Sequence, residues 1–326
     1  MALTPDDADA HVTAWETELA KLGYPHRRHW PSRLFHHAPI ENAVSILAAG
    51  LIRARSDPDN PLHRDIAGKG VIDTRDEAHG YVRFYFRPRT PTQFYIEGIR
   101  KAEECEEYGF QAPVLIMLVF DARAVLTRLG TRFSDENMQR SSALSGEDVE
   151  FFSTIPFAKV YHEGGLAGDR SIIAHRCAEV LALSPLHLSG TLQWIYCRSE
   201  AERDTLLFKL GDAATLWKKR IRVSDDIRVF NRLFTYVEHV HLSNDGIVFE
   251  LHPRNDGKKI AIKVLVRDAL GSQVALFEDN DFAPYPKTGK RWRTPAQLSP
   301  GIYEATIWLE KEEAYHAKLH LGDALI

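Results

Sequence analysis

The segment Tyr81 to Arg89, YVRFYFRPR, separates two kinds of side chain by alternation. Val82, Phe84 and Phe86 share one face, and Tyr81, Arg83, Tyr85 and Arg87 share the other, because successive strand residues point to opposite sides of a sheet. The first is a core face. The second supplies stacking surfaces and guanidinium forks, which suit a ligand carrying bases and phosphates, although a solvated sheet edge would carry the same residues. Three further residues have chemical potential: His36, Arg75 in VIDTR, and Glu179 at the entrance of the apolar run Val180 to Leu183. Read alone, Glu179 is better taken as a solvated edge carboxylate, and His36 equally as a satisfied core imidazole or a ligand contact. His26, His29, His36 and His37 are crowded, yet they lack the cysteine or acid partners and the spacing of a metal site, so no metal is expected. No phosphate-binding glycine signature, H-E-x-x-H or nucleophile elbow occurs.

Several elements must position these residues. Thr4-Pro5-Asp6-Asp7 opens a helix, with Val12, Trp15, Leu19 and Leu22 at helical spacing before Gly23. A short strand is expected around Arg33–His36, then a helix from about Ile40 that closes at Gly50. Residues 53–79 are polar and aperiodic, as in a lid or binding loop. Val114 to Phe120 is apolar on both faces and reads as a central, doubly covered strand. TLQWIYC is a further strand, and Ser199 with Glu202 forms a capping box for the next helix. From about Ile221, the turn signals SNDG, RNDGK and SPG separate GIVFELH, KIAIKVLVRD, QVALFED, GIYEATIWLE and AYHAKLHLG, the pattern of a small β-sandwich. YPKTGKRWRTP, with Lys287, Lys290, Arg291, Arg293 and Trp292, reads as a solvated hairpin tip or as a nucleic-acid contact.

At 326 residues the chain has room for two domains, expected at 1–215 and 222–326. A net charge of −4 excludes a bulk polycation, so any nucleic-acid contact must be a local patch. Three cysteines without C-x-x-C spacing argue against a disulfide framework or zinc knuckle and suit a reducing compartment. With no 18-residue apolar run and no signal-peptide pattern, a soluble cytoplasmic protein without a membrane partner is expected.

LFHHAPIENAVSILAAGLI, YVRFYFRPRTPTQFYI, GTRFSDENM and HRCAEVLAL, in this order, resemble the DarT family of toxin ADP-ribosyltransferases over about residues 33–212. Pro39 and Arg83 depart from the family pattern, which often has a second His and a proline there, and residues 222–326 lie outside it. The expected fold class is thus α+β: an ADP-ribosyltransferase-like split-sheet catalytic domain, followed by an all-β, Ig-like sandwich. The resemblance implies NAD+ as substrate and a nucleic-acid base as acceptor, most often in single-stranded DNA, in a toxin or anti-phage effector that an antitoxin or regulatory protein would restrain. It implies Glu179 and Arg75 as catalytic residues and His36, Asn42, Tyr85 and Phe86 as NAD+ contacts. Tyr81, Arg83, Arg87 and Arg89 would meet nucleic acid. Two alternatives stay open: the same transfer to RNA, and a non-catalytic nucleic-acid or glycan sensor that keeps only the fold.

Overall fold

The computed structural model describes residues 3–21, 23–61, 63–64, 76–105, 111–138, 140–254, 256–284 and 291–322. They form two compact units. The first comprises Met1–Tyr95, Ile116–Tyr196 and Ser224–Asn231, the second Ile96–Leu115, Cys197–Val223 and Arg232–Ile326.

The strands of the first unit are β1 (Arg33–Pro39), β2 (Leu51–Ile52), β3 (Tyr81–Tyr85), β4 (Leu115–Asp121), β5 (Arg132–Ser134), β6 (Ser145–Gly146), β7 (Glu179–Leu183), β8 (Leu186–His187) and β9 (Leu192–Tyr196). Its main sheet runs β9-β4-β1-β3-β7-β5-β6. Leu115 to Phe120 of β4 are wholly buried, which explains why that strand is apolar on both faces. The helix Ile40–Ala49 stops because Gly50 turns left-handed at φ +68°, its N–H bonding the Leu47 carbonyl. The helix Pro5–Ala20 starts on a complete Thr4–Asp7 capping box. Trp15 of that helix packs against Phe157 and Tyr161, while expected stripe residue Leu22 lies outside the described residues. Under the sheet, Phe86 meets Phe157 edge to face with ring centres 5.2 Å apart, and Phe133 and Phe157 lie 4.9 and 5.1 Å from Phe152.

The second unit contains β10 (Ile221–Arg222), β11 (Val237–Ser243), β12 (Gly246–Leu251), β13 (Ile260–Asp268), β14 (Gln273–Phe282), β15 (Arg291–Pro295), β16 (Gly301–Leu309) and β17 (Glu312–Leu321). Two antiparallel sheets, β11-β12-β15 and β14-β13-β16-β17, share one core that includes Val237 and Phe249 from the first and Val264, Ile307 and Tyr315 from the second. The sequence pattern does not reveal β11 and β15. In β11 the exposed positions carry His239 and His241, and a register shift between Val237 and His239 interrupts the alternation. In β15, Trp292 stands opposite Phe249 and stacks on it with ring centres 5.8 Å apart. This corrects the reading of 291–295 as a solvated tip: Trp292 belongs to an apolar contact with Phe249 and Phe282. Lys287 and Lys290 lie outside the described residues.

The turn before β12 makes a strict demand on one residue. Gly246 has φ +127°, and a Cβ there would sit 2.1 Å from the Thr294 carbonyl oxygen and 2.8 Å from the Ala296 nitrogen. Both clashes are with backbone, so no rotamer relieves them. Gly246→Ala is expected to destabilise the second unit by about 2 kcal/mol or more, read as a lowered midpoint in urea unfolding.

The helix Glu200–Leu210 belongs to this unit too. Its cap Ser199 accepts from the Glu202 N–H at 3.1 Å and donates to the Val237 carbonyl of β11 at 2.6 Å. Thr205 accepts from the His316 N–H of β17 at 3.1 Å. Glu202 turns its carboxylate to the Arg198 main-chain N–H at 2.9 Å and to the Arg198 Nε at 2.8 Å. The arginine is buried, and a buried guanidinium needs a counter-charge.

Candidate active site

Antiparallel pairing places Glu179, the first residue of β7, opposite Tyr85, the last of β3, and Leu181 opposite Arg83. Opposed residues share a face and diagonal neighbours stay within reach of long side chains, so Arg83 lies across from Glu179 on the Tyr85 side. Its Nη2 donates to Glu179 Oε1 at 2.5 Å and to Asn137 Oδ1 at 3.3 Å. The Met138 N–H donates to Glu179 Oε2 at 3.3 Å, and the Glu179 N–H donates to Ser134 Oγ at 3.1 Å. Glu179 is 0% exposed.

Burial pushes the Glu179 carboxyl above its ordinary range, and the charge and hydrogen bond of Arg83, the Met138 N–H and the Tyr85 hydroxyl pull it back. Burial alone would make Arg83 easier to discharge, but the facing Glu179 outweighs it and holds the guanidinium charged. The result is a fixed carboxylate in a dry setting, with one cation and one main-chain N–H setting its direction. Such a group can oppose developing positive charge or take up a proton.

β1 meets β3 through Phe35 and Tyr85. His36 Nδ1 lies 2.9 Å from the Arg83 carbonyl oxygen. A carbonyl only accepts, so Nδ1 carries the proton and Nε2 is left as the acceptor. Burial keeps this imidazole neutral by lowering its pKa. His37, 8% exposed and lowered to about 3 by burial first and then by His36, stacks its ring on Tyr85 at 5.5 Å. Cys177, two residues before Glu179, is buried and pushed up to about 11 by that burial, so its thiol stays protonated.

The other expected site residues divide. Asn42, on the helix Ile40–Ala49, accepts from the His63 and Arg64 N–H groups at 3.1 and 3.0 Å and donates to the Arg64 carbonyl at 2.7 Å. It therefore fastens the chain that leads toward Arg75, and Arg75 itself lies outside the described residues. Tyr81 is half-buried and packs against Ala78, Met138, Ala143 and Leu181. Phe86 is 1% exposed within the Phe157 cluster, so its ring faces core rather than ligand. Arg87 is 2% exposed and donates to the carbonyls of Pro88, Val160 and His162, which does not suit direct contact with a nucleic-acid strand. Arg89 donates to Glu163 Oε2 at 2.7 Å.

Sequence reading misses the roles of Asn137, Met138 and Ser134 around Glu179. Their segment, GTRFSDENM, is conspicuous in the sequence, but nothing in it shows which main-chain N–H or hydroxyl turns toward β7. The four crowded histidines have separate partners: Glu163 for His26, Glu16 for His29, the Arg83 carbonyl for His36 and the Tyr85 ring for His37. Among the described residues no three His, Cys, Asp or Glu side chains gather as metal ligands would. Nor is any helix there long and apolar enough to cross a membrane.

No curated protein matches the chain. Among solved structures it is similar to Thermus sp. 2.9 DarT in complex with carba-NAD+, with 22% identity, a TM-score of 0.47, and coverage of 60% of this chain and 97% of that one. It is similar to the same protein in complex with ADP-ribosylated ssDNA, with 21% identity, a TM-score of 0.48, and coverage of 60% and 96%. Thermosipho africanus DarTG in complex with ADP-ribose is matched at 14% identity and a TM-score of 0.43, over 68% of this chain and 55% of that one. The family model described as "ssDNA thymidine ADP-ribosyltransferase, DarT" matches residues 35–227, a stretch that holds His36, Arg83, Tyr85 and Glu179 and makes up more than half of the chain. The chain therefore belongs to the DarT family of ssDNA thymidine ADP-ribosyltransferases.

Proposed function

We propose that the chain uses NAD+ as donor and transfers its ADP-ribose to a thymidine base in single-stranded DNA at the site built around Glu179. The observation that carries this reading is the wholly buried Glu179 carboxylate, held between Arg83, the Met138 N–H and Tyr85. As the bond from ribose C1″ to nicotinamide breaks, nicotinamide leaves with the electron pair and positive charge builds on the sugar. Glu179 opposes that charge. The thymidine base then bonds to C1″, and its proton passes to Glu179. His36 accepts a hydrogen bond from the donor at Nε2, Tyr85 borders the donor, and Asn42 holds the chain leading to Arg75, which grips a phosphate or steadies the acceptor. Tyr81 and Arg89 contribute to the path of the strand. Incubation with labelled NAD+ and oligonucleotides tests the reading: label should enter thymidine-containing single strands, and neither thymidine-free strands nor RNA.

Arg83 gives a second test. It lowers the Glu179 pKa against the burial that raises it, so Arg83→Met removes the downward pull and the carboxyl climbs further. The acid limb of the pH–rate profile should then move to higher pH, with activity at pH 6 falling more than at pH 8. An unmoved profile would show that Arg83 does not set the ionisation of Glu179.

DNA-base modification in a bacterial cytoplasm would stop replication, and on that ground we read the protein as a toxin or anti-phage effector, restrained by an antitoxin or regulatory protein. Growth arrest on expression that Glu179→Ala relieves would support this role, and equal growth with both proteins would remove it. The second unit is read as an Ig-like sandwich. Its strand orders, β11-β12-β15 and β14-β13-β16-β17, support that reading: lettered along the chain they are A-B-E and D-C-F-G, with the fourth strand beside C, where a C′ strand stands.

A further inference from the structure

Four guanidinium groups and two imidazoles of the first unit gather about a single carboxylate, Glu163. Arg89 Nη2 lies 2.7 Å and Arg87 Nη2 3.4 Å from Glu163 Oε2, and His26 Nε2 is 3.6 Å away. His26 Nε2 is also 3.1 Å from Arg89 Nη2. Arg176 Nη2 sits 2.8 Å from His162 Nδ1 and donates to the Gly164 carbonyl at 2.9 Å, and Arg27 Nη1 donates to the Tyr161 carbonyl at 2.6 Å. Arg87 and Arg89 further place their guanidinium carbons 4.9 and 5.7 Å from the Trp30 ring centre.

The charges do not balance. Burial first, and then neighbouring cations, lower the pKa of His26, Arg87 and His162, with Arg87 brought down to about 9. Arg27 and Arg176 are lowered by burial as well, and Glu163 pulls each of the five back up. Neutral histidines leave four guanidinium charges against one carboxylate. A buried surplus of like charge weakens a fold unless a counter-charge completes it. The cluster also holds unused donors: the Nε groups of Arg27 and Arg176 are buried with no hydrogen-bond partner, and Arg27 is only 4% exposed. Beside them the loop at Gly164 and Gly165 is exposed.

Cationic forks, spare N–H groups and an open glycine loop together fit a phosphate. We propose that this cluster is a phosphate-binding site for the reaction's substrates, with Arg176 and Arg89 as direct ligands and Arg27 and Arg87 supplying the positive field. Arg176 stands three residues before Glu179, and Arg87 and Arg89 follow β3 directly, so the site adjoins the two strands that carry the reacting centre. Donor diphosphate and DNA backbone share this chemistry. Which of them arrives rests on the ADP-ribosyltransferase reading, whereas binding of the anion itself does not.

The test uses the full chain with inorganic pyrophosphate, following the thermal midpoint against sodium chloride at matched ionic strength. Pyrophosphate should raise the midpoint above the salt control. Arg176→Gln should weaken pyrophosphate binding about tenfold or more, with Arg176→Lys, which keeps the charge and loses the fork, falling between. Displacement of pyrophosphate by NAD+ would assign the site to the donor, and displacement by oligothymidylate to the DNA backbone. A rise no greater than that in chloride, an unchanged affinity in both Arg176 variants, or displacement by neither substrate would overturn the proposal. Glu179→Ala should retain pyrophosphate binding, so inactivity of the transferase and failure of this site are separate outcomes.

Discussion

Glu179→Gln should reduce ADP-ribosylation of single-stranded DNA by about 10²- to 10⁴-fold, the range in which positioned carboxylates and electrostatic stabilisers act. Glutamine keeps the shape and loses both the charge that opposes the ribosyl cation and the capacity to accept a proton. It also leaves Arg83 facing a neutral amide, so some stability is lost with activity. The two effects separate in the double variant Glu179→Gln with Arg83→Met, which removes both charges. That variant should regain stability toward wild type while remaining inactive, as measured by label transfer beside urea unfolding. Transfer by Glu179→Gln within tenfold of wild type would remove Glu179 from the reacting centre.

Arg198→Met is expected to cost about 3–5 kcal/mol of stability in the second unit, as breaking a buried ion pair does. The Arg198 and Glu202 side chains are 1% and 0% exposed, and Arg198 also donates to the Pro113 carbonyl and lies over the Tyr236 ring at 4.6 Å. Without the arginine, Glu202 keeps the burial that raises its pKa and loses the partner that lowers it. A raised folded-state pKa favours folding only while the carboxyl is protonated. The deficit should therefore be smallest below the ordinary carboxylate range and grow as pH rises through the displaced pKa. Urea midpoints of variant and wild type at pH 5 and pH 8 check the sign. Adding Glu202→Leu should recover much of the loss and flatten the pH dependence.

Much of the first unit was legible because its elements rest on short-range rules. The alternation Val82-Arg83-Phe84-Tyr85 marks β3, the unbroken apolar run marks β4, and Gly50 marks a helix end. Glu179 was also legible as the start of an apolar strand. What the sequence did not show is pairing. Nothing local tells that Arg83 reaches Glu179, which depends on strand register across nearly a hundred residues, or that Phe86 turns into the Phe157 cluster, which depends on a helix about seventy residues away. Nor does it tell that Arg87 spends its donors on the carbonyls of Val160 and His162. In the second unit, strand β15 escaped because its tryptophan is flanked by arginines and its apolar partner Phe249 lies in another strand. Arg198 and Glu202 resemble an ordinary surface pair four residues apart until burial is known.

The register of β3 against β7 has a consequence for when the proposed activity can appear. A slip of one residue would send Arg83 and Tyr85 into the core and bring Val82 and Phe84 out, so a misaligned chain loses the core face of β3 and the Arg83–Glu179 pair in one step. On the proposed mechanism, competence to modify a base therefore requires that β3 and β7 have paired in this register.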